Sequence, residues 1–103
     1  MTNKKLVLST AGSKEEAQKI ARTLVERLLA ACVNIVAVES IYRWKEKIET
    51  AAEVIVLFKT TQDRQKAFQE KLRSLHPYDV PEIIFISVTN GFPEYLRWVM
   101  ENC

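Results

Sequence analysis

Glycine is nearly absent from this sequence, and its scarcity excludes whole classes of nucleotide-binding protein. Only Gly12 and Gly91 occur among the 103 residues. P-loops and G-x-G-x-x-G turns need closely spaced glycines so that backbone amides can surround a phosphate. Two distant glycines cannot build either motif, and we predict no organic cofactor.

Histidine and cysteine are scarce as well. His76 is the one histidine, and Cys32 and Cys103 are the two cysteines. A nucleophile–histidine–acid triad would have to use His76, which has no nucleophile signature beside it. Two cysteines without an export signal indicate free thiols in a reducing compartment, which predicts a cytoplasmic protein.

A dominant charge and a long apolar run are also missing. The 15 Lys and Arg residues nearly balance the 13 Asp and Glu residues, so no strong field favours nucleic acid or an acidic membrane. No apolar run approaches the roughly 18 residues of a membrane span. The chain does have 48% apolar residues, enough for one core. We predict a single domain over residues 1–103, with neither nucleic acid nor membrane as partner.

Strand patterns recur at four places in the sequence. β-prone apolar runs occupy residues 5–10, 32–44, 53–58 and 83–88. The second run is the longest and exceeds the usual strand of a small domain.

Helix patterns lie between these strands. Ser13 precedes Glu16 by three residues, the spacing of a capping box, and the apolar positions that follow recur at helical intervals as far as Leu29. A second helix is expected to begin at Thr61–Gln62. Pro93 suits the first turn of a third helix, at the end of the chain.

The resulting order is β-α-β-β-α-β followed by a C-terminal helix. It predicts an α+β fold, a ferredoxin-like sandwich in which one antiparallel sheet carries both main helices on one face. The strands read as apolar on both faces, and the long second strand would overhang its neighbours. Association of identical chains would cover the open face and pair the exposed edge, so we predict a homo-oligomer.

The segment Leu75–Ile84 is the most informative stretch. It holds His76 and two prolines, which fix φ and push the preceding residues toward extended conformations. Such a stiff connector would present an imidazole, the Tyr78 phenol and the carboxylates of Asp79 and Glu82 in a defined layout. Alternatively, the segment only ends a helix and starts a strand, with His76 complementing the helix dipole.

Five motifs, taken together, resemble the CutA divalent-cation tolerance family. They are Ala30–Ile35, Ser40–Trp44, Lys59–Thr61, His76–Ile83 and Tyr95–Trp98, in that order. The resemblance implies a ferredoxin-like domain assembled as a homotrimer, similar in architecture to PII-type signalling proteins. It further implies a cytoplasmic role in tolerance of divalent metals, with copper bound by some members and cholinesterase anchoring in animals. The family has no established reaction, so we expect no enzyme.

One departure from the family concerns copper. The copper site discussed for the family draws on a thiol in the first strand and a histidine pair before Pro-Tyr, where this chain has Ser9, Leu75 and His76. Because copper and zinc prefer thiolate or imidazole ligands, only His76 remains as a metal ligand, and we expect weak binding of copper or another divalent cation. Copies of His76 gathered by a three-fold assembly could still contribute. A second departure is Glu46, where the family usually has glycine, so the hairpin is expected to avoid positive φ there.

A cleft between subunits is the second candidate site. The trimer would combine the loop that holds His76 with aromatic side chains, and the candidate residues are Tyr42, Trp44, Tyr78, Glu82 and Trp98. This arrangement favours an alternative function, a trimeric scaffold or PII-like sensor of a small molecule. The competing interpretation is that Tyr78 and Glu82 only hold subunits together by hydrogen bonds.

The remaining polar residues have structural explanations beside functional ones. Cys32 is expected to behave as a small buried hydrophobe, with a ligand or redox role as the alternative, and Cys103 as a mobile terminal thiol. Asn34 is expected at a bulge or a subunit contact. The Lys59–Thr61 motif either holds an anion at a helix N-terminus or caps that helix.

Overall fold

The computed structural model describes residues 3–103 and has the order of elements that the sequence predicts. A 3₁₀ turn, Gln62–Arg64, precedes the second helix. The elements are β1 (Lys4–Ala11), α1 (Lys14–Glu26), β2 (Cys32–Trp44), β3 (Lys47–Thr61), α2 (Gln65–Leu75), β4 (Ile84–Ser87) and α3 (Pro93–Glu101).

The four strands form one sheet in the order β2-β3-β1-β4, and each neighbouring pair is antiparallel. The register places Val7 of β1 opposite Phe58 of β3 and Phe85 of β4. Phe58 also pairs with Val33 of β2. This order with two crossover helices is the ferredoxin-like arrangement, so the predicted α+β fold class is confirmed.

Both main helices pack on one face of the sheet, as predicted. Val7, Val56 and Phe58 point to this face and form one buried cluster with Leu24 of α1 and Phe68 of α2. The ring of Phe68 stands edge-on to Phe58, with 5.0 Å between centroids and 82° between planes. Full burial of such a side chain contributes about 1.5–3 kcal/mol, so this buried layer stabilises the fold.

The ends of α1 agree only in part with the sequence pattern. Ser13 caps the helix, since its hydroxyl accepts the N–H of Glu16 at 3.1 Å as predicted. The helix ends at Glu26, however, and the prediction that it continues to Leu29 was wrong. Leu28 has φ 58° and turns the chain into the left-handed conformation that commonly ends helices.

The hairpin of β2 and β3 extends beyond the rest of the sheet. β1 pairs with β3 only from Val54 to Thr61, so residues 47–53 pair with β2 alone. The prediction of a short third strand over residues 53–58 was therefore wrong. Residues 47–50 are solvent-exposed, and no apolar alternation marked them as a strand.

Two residues form the turn of this hairpin. Lys45 has φ 50° and Glu46 has φ 67°. Positive φ at both central positions is the signature of a type I′ turn, whose twist matches that of the flanking strands. The expectation that the hairpin avoids positive φ at Glu46 was wrong, because the twist of a long hairpin determines the turn type here.

The second face of the sheet is only partly covered. The helix α3 packs against β1 and β3 and buries Val99. On the same sheet, Val36, Ile84 and Ile86 remain 49%, 46% and 45% exposed. The apolar second face that the sequence predicts is therefore open in a single chain. None of the helices in residues 3–103 is long and apolar enough to cross a membrane.

Candidate functional site

His76 ends α2 and begins the proline-containing loop that leads to β4. Its backbone is extended, with φ −81° and ψ 130°, as expected for the residue before Pro77. Its N–H donates to the carbonyl of Leu72 at 3.0 Å. The side chain is only 7% exposed, so the imidazole has to find its hydrogen-bond partners inside the fold.

Both nitrogens of the His76 ring are engaged by backbone groups. Nε2 lies 2.6 Å from the carbonyl oxygen of Thr10, and Nδ1 accepts the N–H of Tyr78 at 3.2 Å. Since Nδ1 accepts, Nε2 must carry the proton and donate it to Thr10. The imidazole thus ties the loop to β1 in its neutral form.

The donor atoms around His76 do not fit the copper site that the resemblance implies. Ser9 is 1% exposed and Leu75 offers no donor. Over residues 3–103, no three His, Cys, Asp or Glu side chains lie close enough to hold a metal ion together. A metal at His76 would require a ring nitrogen to give up its backbone partner, so His76 as a ligand stays a prediction.

Tyr78 connects the loop to β3. Its phenol donates a hydrogen bond of 2.6 Å to Oε2 of Glu53, and its ring meets His76 edge-on with 4.6 Å between centroids. Partial burial raises the pKa of the Tyr78 phenol well above its usual range, and the Glu53 carboxylate raises it further. The phenol therefore stays neutral and remains a donor at physiological pH.

A cleft of about 690 Å³ lies between this loop and the β2–β3 hairpin. We call it the hairpin cleft. Four of the predicted cleft residues line it, two from β2 and two from the loop. The full lining is Thr10, Glu39, Ser40, Ile41, Tyr42, Trp44, Glu53, Tyr78, Asp79, Val80 and Glu82.

Trp98, the fifth predicted cleft residue, does not line the hairpin cleft. It lies on α3 and stacks on Tyr95, with 5.8 Å between ring centroids and 24° between planes. His76 also lies outside the lining and supports the cleft from behind through Tyr78. The role of the predicted residues as a binding site remains an expectation.

Sequence reasoning missed Glu53 and Glu39 as members of the site. Glu39 interrupts the β-prone run 32–44 and Glu53 begins the run 53–58, and a carboxylate in these positions was the available signal. The partner of Glu53 is Tyr78, far along the chain, and only the folded sheet brings them together.

Lys59, Asn34 and Cys32 form a separate polar group on β2 and β3. The ammonium of Lys59 donates to Oδ1 of Asn34 and lies 3.9 Å from Sγ of Cys32. Asn34 pairs with Leu57 in an uninterrupted ladder, so the predicted bulge was wrong. Tyr95 also contacts Cys32, and partial burial together with that thiol raises the pKa of the Tyr95 phenol.

The threonines of the Lys59–Thr61 motif have structural partners. Thr60 is fully buried and donates to the carbonyl of Leu29 at 2.6 Å. Thr61 occupies the N-cap position of the 3₁₀ turn, without a side-chain capping bond. The two buried hydroxyls give no support to an anion site. Cys103 is half-buried, and its thiol donates to the carbonyl of Lys59 at 3.9 Å.

Comparison with known sequences identifies relatives over nearly the whole chain. The family model for the CutA1 divalent ion tolerance protein matches residues 5–102. The divalent-cation tolerance protein CutA of Thermus thermophilus is 46% identical over 98 residues, which cover 94% of this chain and 95% of that protein. The CutA homolog of Xenopus laevis is 49% identical over 84 residues, which cover 81% of this chain and 56% of that longer protein.

Solved structures share the fold. The divalent cation tolerance protein of Thermus thermophilus superposes with a TM-score of 0.93 at 45% identity, over 96% of this chain and 97% of that one. A CutA structure from Archaeoglobus fulgidus, described as periplasmic, gives a TM-score of 0.92 at 37% identity, over 99% and 98% of the two chains. On sequence and on fold, this chain belongs to the CutA1 divalent ion tolerance family.

Proposed function

We propose that this chain acts in divalent-cation tolerance as a homotrimer, without catalysing a reaction. The observation that carries the assembly is the open second face of the sheet, where Val36, Ile84 and Ile86 are each nearly half exposed. Apolar groups gathered on one face of a small domain call for cover by another chain. The overhanging β2–β3 hairpin offers the neighbouring chain additional backbone and side chains to pair with.

Metal binding by one chain is weak in this proposal. His76 is the best single ligand, but its nitrogens already serve Thr10 and Tyr78. A copper ion or another divalent cation would have to compete with those backbone partners. A tighter site requires side chains from more than one copy of the chain.

A small-molecule ligand in the hairpin cleft is the second candidate function. Its volume of about 690 Å³ lies within the range of ordinary ligand sites, which runs from about 300 to 1,000 Å³. The cleft has aromatic walls, formed by Tyr42, Trp44 and Tyr78. Glu82 adds a polar group at its rim. Under this hypothesis, the trimer is a scaffold or a PII-like sensor of a small molecule, and a neighbouring subunit closes the cleft.

The cytoplasm is the compartment we propose for this protein. Cys32 and Cys103 are free thiols in the structure, and free thiols persist in reducing compartments. Detection of the protein in a periplasmic or organelle fraction would contradict this proposal. The balanced charge, 15 basic against 13 acidic residues, supports the further proposal that nucleic acid and membranes are not partners.

Calorimetric titration with Cu(II) and Zn(II) separates the two candidate functions. Wild type is compared with His76→Ala, and circular dichroism establishes that the variant remains folded. Binding weaker than micromolar that disappears in His76→Ala would support weak metal binding through His76. Submicromolar binding that survives the substitution would remove His76 from the site, and the absence of heat with either metal would favour the sensor.

A further inference from the structure

The charged side chains that line the hairpin cleft are all acidic. Four carboxylates line it, Glu39 from β2, Glu53 from β3, and Asp79 and Glu82 from the loop. Lys, Arg and His are all absent from its lining. A cleft lined by one sign of charge concentrates ligands of the opposite sign and repels others. Anionic ligands such as phosphates or carboxylates are therefore poor candidates for this cleft.

Aromatic side chains supply much of the remaining surface. In a single chain, Tyr42, Trp44 and Tyr78 are 43%, 46% and 37% exposed, so their rings are available to a ligand or to a neighbouring subunit. The faces of such rings carry negative electrostatic potential and attract cations, indole most strongly. The Tyr78 phenol donates to Oε2 of Glu53. The other carboxylate oxygen, Oε1, can therefore accept a hydrogen bond from a ligand.

A cation of the chain itself already lies beside one of these rings. The ammonium of Lys45 is 6.0 Å from the centroid of the Trp44 ring, at the outer limit of a cation–π contact. This contact is independent of the carboxylates. Lys45 is adjacent to Trp44 in the chain and is absent from the cleft lining, so a ligand cation would compete with it for the indole.

We infer that the hairpin cleft binds an organic cation, a compound with an alkylated ammonium group, an inference that rests on the cleft being a ligand site as proposed above. The ammonium would contact the faces of Trp44 and Tyr42. The carboxylate of Glu53, which strand alternation places on the same face of the hairpin, would balance its charge. Quaternary and tertiary ammonium groups suit such surroundings because they are large, weakly hydrated cations.

A bare metal ion fits the hairpin cleft less well. Among residues 3–103, no three His, Cys, Asp or Glu side chains lie close enough to hold a metal ion, and this includes the carboxylates of the cleft. A volume of about 690 Å³ is also far larger than an ion needs. The aromatic walls would gain nothing from a hydrated divalent cation, because water would separate the rings from the charge.

Three compounds of the same carbon shape test the inference. Choline carries a positive charge, 3,3-dimethyl-1-butanol is neutral, and 3,3-dimethylbutyrate is negative. Each is titrated into the full chain, in its native assembly, with the Trp98→Phe variant as host. That variant leaves Trp44 as the single tryptophan, so fluorescence reports on the hairpin cleft. We expect choline to bind about tenfold more tightly than the alcohol, and the butyrate to bind least.

Two pairs of variants locate the binding. In the wild-type background, observed by calorimetry, Trp44→Leu and Glu53→Gln should each weaken choline binding about fivefold, and the amide oxygen of Gln can still accept the Tyr78 phenol. The matched controls are Phe92→Leu, an exposed aromatic outside the cleft, and Glu70→Gln, an exposed carboxylate on α2. Both controls should leave the affinity within about twofold of wild type. Equal losses in the control variants would overturn the assignment of choline to this cleft.

The outcomes also distinguish an error in the class of ligand from an error in the place where it binds. If the alcohol or the butyrate binds as tightly as choline and loses affinity in Trp44→Leu, the cleft is a ligand site and the organic-cation inference is wrong. If all three compounds leave the fluorescence of Trp44 unchanged, the organic-cation inference is wrong, whereas the sensor proposal is decided by the metal titration described above. Poor quenching of Trp44 by acrylamide in that case would show that a neighbouring subunit fills the cleft.

Discussion

The phenol of Tyr78 and the carboxylate of Glu53 are joined by a hydrogen bond of 2.6 Å that links the proline-containing loop to β3. Beneath it, the N–H of Tyr78 donates to the imidazole of His76, which in turn donates to Thr10 of β1. The wall of the hairpin cleft is thus held by a chain of hydrogen bonds that starts in the sheet and returns to it. Loss of any member should loosen the loop.

The first prediction is that Tyr78→Phe lowers the free energy of unfolding by about 1 kcal/mol, because a half-exposed hydrogen bond to a charged group is lost while water can still reach Glu53. Urea denaturation at one fixed protein concentration measures the change. Tyr42→Phe removes a hydroxyl from the same cleft and serves as the control, with an expected change close to zero. An equal loss in both variants would mean that the Tyr78–Glu53 bond adds no stability.

The second prediction concerns alkaline pH. The pKa of Tyr78 is raised by burial and by Glu53, so the folded state disfavours its ionisation. The corresponding stability is fully present below the unfolded pKa of about 10 and is lost as pH rises from there toward the folded pKa. Ultraviolet absorbance should show Tyr78, and also Tyr95, ionising later than free tyrosine. Ionisation of all three tyrosines together near pH 10 would contradict this expectation.

The third prediction is that His76→Ala costs about 2–4 kcal/mol, because it removes a buried side chain and leaves the carbonyl of Thr10 and the amide of Tyr78 without partners at a partly buried site. Thermal and urea unfolding measure the loss, and the metal-free protein should show all of it. Pro77→Ala, a change at the neighbouring exposed position, is the control and should cost less than about 1 kcal/mol. If His76→Ala is harmless without metal, the imidazole has no structural role.

The fourth prediction is a homotrimer. Sedimentation equilibrium at micromolar concentration should give three times the chain mass of 11.9 kDa. Ile86→Glu places a charge on the open second face of the sheet and should dissociate the assembly. Val25→Glu changes an exposed apolar residue of α1, on the other side of the sheet, and should leave the mass unchanged. A wild-type monomer under these conditions would refute the assembly.

The fifth prediction is that Glu46→Gly stabilises the protein by about 0.5–1 kcal/mol, since glycine adopts a φ of 67° without the steric cost that a side chain carries there. The melting temperature of the variant should rise. Glu49→Gly, in the β3 strand of the same hairpin, should lower it, because glycine weakens a strand. A lower melting temperature for both variants would show that the Glu46 side chain makes a contact worth more than the backbone strain.

The sequence by itself determined the order of the elements and the class of the fold. Apolar periodicity marked the strands and helices that line the core, and local chemistry marked their starts, as with the hydroxyl cap of Ser13 and Pro93 in the first turn of α3. These signals depend on near neighbours in the chain and on burial against a core. Where burial stops, as in residues 47–50 of the hairpin, the pattern fails, because exposed strand residues follow no apolar alternation.

Only the tertiary structure decided how the site is arranged. The sequence singled out Tyr42, Trp44, Tyr78 and Glu82, yet it could not show that Glu53 is the partner of the Tyr78 phenol or that Trp98 lies elsewhere. The buried imidazole of His76 likewise found both of its partners in the folded backbone. These contacts join residues far apart in the chain, and their geometry follows from the register of β1 and β3 and from the packing of α2, which no local spacing encodes.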